Sequence, residues 1–93
     1  MQRKSLVTAK RLFQRKKFKA AIELLEPQVF QYRESFPFYY IIGTSCLYVG
    51  DFGGALSYLR RAHQLREDHI GALLGLAAIA FNCREGKNKR RRY

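Results

Sequence analysis

At 93 residues with a formal net charge of +11, the chain is one domain or part of one, and a core of that size is by itself only marginally stable. Hydrophobic residues make up 47% of it and there are two prolines, which excludes a disordered polymer. The charge sits at the ends: residues 1–19 carry eight basic and no acidic side chains, residues 84–93 six basic and one acidic, and the stretch between them four basic and six acidic.

Taken in order, the spacing predicts a first helix from about Arg3 to Arg15, with Ser5, Ala9 and Leu12 as the face packed on the next helix. Lys16, Lys17 and Phe18 read as a turn, and a second helix runs from about Lys19 to Tyr32. Pro27 removes a backbone donor within it and crowds the preceding turn, so a kink is expected there with the helix otherwise continuing. Phe36 and Pro37 open a third helix, proline being suited to a first helical turn. In it Tyr39, Ile42, Gly43 and Cys46 recur at i, i+3, i+4 and i+7 and share one stripe. Gly50 can take a positive φ after the helix end, and Asp51 can cap a fourth helix from about Phe52 to Arg66. There Ala55, Leu59 and Ala62 continue the periodicity, and small residues at 43, 55 and 62 let two antiparallel helices approach closely. Asp68 is expected to cap a fifth helix, about His69 to Arg84, that ends at Gly86 before a basic tail from Lys87 to Tyr93.

A shift of 34 residues superimposes like on like. Phe18 falls on Phe52, Ala21 on Ala55, Ile22 on Leu56, Leu25 on Leu59, Tyr39 on Leu73, Ile42 on Leu76 and Gly43 on Ala77. The pattern Tyr39-x2-Ile42-Gly43-x2-Cys46 followed by Ala55-x3-Leu59 resembles the tetratricopeptide repeat (TPR), whose signature is W-x2-L-G-x2-Y, A-x3-F, then P. Tyr39 stands where that family has Trp, Cys46 where it has Tyr, Leu59 where it has Phe, and Glu67 at the closing Pro. The resemblance implies an all-α fold, a right-handed α-α superhelix of about five helices forming two and a half helix-turn-helix repeats. The units would be 2–35, 36–69 and a half repeat 70–86 within a domain 1–86, with 87–93 a basic tail or the start of a continuation.

It also implies a non-enzymatic scaffold that grips a protein or peptide partner on the concave surface made by the first helix of each repeat. The groove positions that carry over are Arg3, Lys10, Phe13, Tyr40, Thr44, Leu47, Tyr48, Leu74 and Phe81, joined by Leu6, Gln14, Pro37, Gly71, Ala78 and Asn82. Some members of the family hold a partner's terminal carboxylate in a Lys and Asn clamp. Here Leu6, Ile41, Gly71 and Gly75 occupy four of the clamp positions and Lys10 stands for the first Asn, which points instead to an apolar segment, such as an amphipathic helix, with Arg3 and Lys10 selecting acidic residues.

The fifth helix is anomalous, because from Ile70 to Phe81 it has no polar side chain and a helix apolar all round is normally covered all round. A following helix, or a second copy of the chain packing through Leu73, Leu76, Ala77 and Ala80 as a homodimer, could cover 70–84. A membrane is excluded by length, since about 20 apolar residues are needed to cross a bilayer. The basic ends offer an alternative function, binding nucleic acid or an anionic surface, but they lack the interleaved aromatics of RNA-binding patterns. Cys46 and Cys83 lie on apolar helical stretches and, with His63 and His69, lack zinc-ligand spacing, so neither a disulfide framework nor a metal or other cofactor is expected. No apolar segment follows the basic N-terminus as in a secretory signal, and a cytoplasmic location is expected. The carboxylates fall near helix ends or on exposed faces, and the Asp51-Phe52-Gly53 string is the inter-helix turn rather than a kinase element, so catalysis is not expected.

Overall fold

A computed structural model describes residues 2–91 of the chain, with side chains from 5 to 81. The described residues form five α-helices and no strand: α1 (Gln2–Gln14), α2 (Phe18–Leu25), α3 (Phe36–Val49), α4 (Phe52–Leu65) and α5 (Ile70–Arg91). A single 3-10 turn, Glu26–Gln28, follows α2. The first helices of the hairpins thus begin at 2, 36 and 70 and the second at 18 and 52, each offset by the 34 residues read from the sequence.

The two hairpin turns are built alike. After α3, Gly50 adopts φ 89°, its N–H donates to the Leu47 carbonyl at 3.2 Å, and the Asp51 N–H reaches the Cys46 carbonyl at 2.9 Å. After α1, Lys16 adopts φ 63°, its N–H donates to Phe13 at 3.0 Å, and the Lys17 N–H reaches Leu12 at 2.8 Å. Both are the left-handed helix ending in which two N–H groups satisfy carbonyls that the helix leaves open. Position 16 is the 34-residue counterpart of position 50, so a lysine carries a conformation that ordinarily suits glycine. The following helix is capped as expected after Gly50, the Asp51 carboxylate accepting from the Gly54 N–H at 3.1 Å. Ahead of α3, Ser35 does the same for Phe38 at 3.3 Å.

Each helix packs on the next in sequence, and α1, α3 and α5 also touch one another in that order. The result is two layers, with α1, α3 and α5 in one and α2 and α4 in the other. The radius of gyration is 13.7 Å, against about 12 Å for a globule of this length. The core runs through both layers, from the small Ala9, Ala21, Ala55 and Ala62 to the larger Leu25, Phe38, Ile42 and Leu59, all fully buried. Gly43 shows why the small positions matter: a Cβ placed there would lie 2.9 Å from Leu59 Cγ and 3.1 Å from the Leu59 backbone nitrogen. The one buried polar residue among those described, Ser45, donates its hydroxyl to the Ile41 carbonyl at 2.7 Å.

Four local expectations are corrected. Phe18 is the first residue of α2 rather than part of the turn. The second helix does not continue past Pro27: it stops at Leu25, and residues 29–34 form successive turns closed by bonds such as Gln31 N–H to Gln28 and Ser35 N–H to Tyr32. Proline has no N–H to give the Glu23 carbonyl, the Leu24 carbonyl accepts from the Gln28 side-chain amide at 2.9 Å, and Tyr32 turns inward to stack on Phe38 at 4.9 Å. At the start of α5 the cap is His69, not Asp68, since the Ala72 N–H donates to His69 Nδ1 at 3.2 Å. Finally, α5 runs through Gly86 to Arg91, because one glycine costs only about 1 kcal/mol in a helix and does not end it unless a left-handed turn follows.

Candidate binding groove

The layer of α1, α3 and α5 carries three neighbouring hollows. One of about 240 Å³ lies between α1 and α3, walled by Lys10, Phe13, Gln14, Phe36, Pro37, Tyr40 and Ile41. A second of about 290 Å³ lies between α3 and α5, walled by Tyr40, Thr44, Leu47, Tyr48, Gly71, Leu74, Gly75 and Ala78. A third, about 480 Å³, opens at the hairpin-turn end, where Phe13, Gln14, Lys16, Phe18 and Tyr48 meet. Tyr40 belongs to the first two and Tyr48 to the last two, so the hollows form one discontinuous groove across α3.

Helical periodicity accounts for this on α3, where 40, 44, 47 and 48 form a stripe turned away from the buried stripe of Tyr39, Ile42, Gly43 and Cys46. Two aromatic clusters stiffen the walls. At one end Phe36 stacks on Tyr40 at 5.7 Å, and the His69 ring lies 4.6 Å from the first and 4.8 Å from the second. Gly71 makes room beside this cluster: a Cβ there would lie 2.6 Å from the Tyr40 hydroxyl and 2.8 Å from His69 Cε1, so a larger residue would shift those side chains. At the other end Phe18 is edge-on to Phe13 at 5.6 Å and stacks on Tyr48 at 4.5 Å.

Of the groove positions carried by the resemblance, Lys10, Phe13, Tyr40, Thr44, Leu47, Tyr48 and Leu74 line these hollows, as do Gln14, Pro37, Gly71 and Ala78. Tyr48 and Leu74 are 64% and 65% exposed, whereas Phe13, Tyr40 and Leu47 also rest partly against the core. Phe81 is exposed, one helical turn beyond Ala78 and outside the hollows described. Leu6 packs against the core instead. The Arg3 and Asn82 side chains lie outside the described residues. Sequence reasoning missed Phe18, Phe36, Lys16 and His69; the first recurs as Phe52 at the repeat interval, the one signal that set it apart from a turn residue.

On the outer side of α5, Leu73, Ala77 and Ala80 are exposed, whereas Leu76 packs partly on the core and is not free for a second surface. The inner side buries Ala72 and Ile79. No helix among the described residues is long and apolar enough to cross a membrane.

Away from the groove, burial pushes the Cys46 thiol up to about 11, with the Asp51 and Glu26 charges adding to the effect, so the sulfur stays protonated and poorly nucleophilic near neutrality. Burial, helped by Glu26, also raises the Tyr58 hydroxyl. Both groups belong to the packing between layers. What the groove surface itself can do is take up apolar side chains between aromatic walls, with amines at its margin. Compared with known proteins, the chain matches no family model, no curated protein and no solved structure.

Proposed function

We propose that the chain is a non-enzymatic interaction module of TPR-like superhelical design that docks an apolar segment of a partner polypeptide in the groove across α1, α3 and α5. The observation that carries this reading is the exposure of large apolar side chains, Tyr48 and Leu74, at the mouths of hollows walled by Tyr40, Leu47 and Phe13. Exposed apolar surface organised into a concavity marks an interaction site, while the same residues scattered singly would not. The 34-residue recurrence of helix starts and of the left-handed positions 16 and 50 supports the repeat reading on which the groove assignment rests. No described residue lies in a strand, so no free strand edge is offered there to an extended ligand. A helix, which satisfies its own backbone, suits the surface better.

The test uses a fluorescein-labelled, 16-residue amphipathic helix with Leu and Phe at i, i+3, i+4 and i+7, followed by anisotropy. Leu74→Asp and Tyr48→Ala each weaken its binding by tenfold or more. Ala77→Glu, on the outer side of α5, leaves binding unchanged. Binding that survives both groove variants, or that is lost equally with Ala77→Glu, overturns the assignment.

A further inference from the structure

We infer that the partner segment is an acidic amphipathic helix, its carboxylates flanking the apolar stripe; this rests on the groove reading above. All carboxylates of the chain but Glu85 lie outside the layer of α1, α3 and α5. Helices α1 and α3 hold no Asp or Glu, and α5 holds none before Glu85. The other six carboxylates, Glu23, Glu26, Glu34, Asp51, Glu67 and Asp68, lie on α2 or in the connections. None of them lines the three hollows, whereas Lys10 walls the first and Lys16 the third.

Among the described residues these lysines have no internal partner. The ion pair found there is Arg61 with Glu34 at 3.5 Å, on α4 and the connection preceding α3. Both lysines are exposed, so pairing at the rim costs little desolvation and gains modestly. Each sits beside aromatic carbon, Lys10 with Phe13 and Phe36, Lys16 with Phe18 and Tyr48. A ligand that places Leu or Phe in a hollow and Asp or Glu one helical turn away satisfies wall and rim together. A basic helix would bring like charge to the same rim, against a chain already at +11.

Three versions of the 16-residue probe decide the matter, identical along the apolar stripe and bearing Glu, Gln or Lys on the polar face. With the wild-type chain at low salt, the Glu peptide binds roughly tenfold more tightly than the Gln peptide, and the Lys peptide more weakly than either. In Lys10→Gln combined with Lys16→Gln the ratio of Glu-peptide to Gln-peptide affinity falls to within about twofold of one, a readout that a general weakening of the groove would not move. Equal binding of the Glu and Gln peptides overturns the acidic partner and leaves the groove reading standing. Failure of all three peptides overturns the groove reading itself. A concentration-dependent dimer in sedimentation that Tyr48→Ala abolishes would make a second copy the occupant. Displacement of the Glu peptide by a single-stranded RNA 15-mer, with loss of RNA binding in Tyr48→Ala, would make it a nucleic acid. Either result overturns the inference.

Discussion

Helix α3 and the first half of α5, 70–81, are long runs without a charged side chain, and the repeat interval pairs them residue by residue. On α3 the stripe Tyr39, Ile42, Gly43 and Cys46 is buried, because α4 crosses it and α2 closes the far side. The α5 counterparts are Leu73, Leu76, Ala77 and Ala80, of which only Leu76 rests on the core. One pattern therefore yields interior in one helix and surface in the other. Hydrophobic periodicity states how many sides a helix can have covered; which sides are covered depends on the neighbours.

The comparison can be broken at several points. The largest effect belongs to Leu59, which packs on Gly43 and also lies 2.7 Å from where a Cβ on Gly75 would sit. Leu59→Ala leaves a cavity where α4 holds α3 and α5 together and costs about 2–5 kcal/mol by urea denaturation. If Leu73→Ala on the outer side of α5 costs as much, the contrast between the two helices is wrong.

Next comes pH. The Cys46 thiol has its pKa raised from 9.0 to about 11 in the folded chain, so the stability it contributes is complete below pH about 9 and is lost as pH rises through about 11. Thermal melts of wild type should therefore fall more steeply over that window than those of Cys46→Ala, by about 3 kcal/mol in full. Parallel curves would show that the sulfur is not desolvated.

Gly43→Ala sharpens the comparison directly. The new methyl must push against the Leu59 backbone, at a cost of about 1–3 kcal/mol. At the matched position on α5, Ala77→Leu adds three carbons to an exposed face and changes stability by less than about 0.5 kcal/mol. The smallest pair concerns the hairpin turns: Lys16→Gly relieves a left-handed lysine and adds up to about 1 kcal/mol, whereas Gly50→Ala removes about the same amount. Equal responses of the same sign would mean that the two turns are not equivalent.

Much of the fold was legible because it is encoded within a few residues. The bounds of α3 follow from proline at its start and glycine at its end, the Asp51 cap from its place after the turn, and the close approach at Gly43 from its spacing to Tyr39 and Cys46. The family resemblance supplied 40, 44, 47 and 48 as groove positions, and all four line the hollow between α3 and α5. The fate of the chain after Pro27 was less legible, since a proline either kinks a helix or ends it. Here the inward stacking of Tyr32 on Phe38 draws residues 29–34 away from the helix axis.

By itself the sequence determined the helices, their 34-residue spacing and the stripe each presents, because hydrogen-bonded turns and side-chain periodicity are local properties of the chain. Tertiary structure alone decided that Phe18 would join Phe13 and Tyr48, that His69 would close the other aromatic cluster, and that one side of α5 would face outward. The longer of these contacts, Phe18 with Tyr48 and Tyr40 with His69, join residues far apart in the chain, and no local rule specifies which of several apolar faces a distant helix will cover.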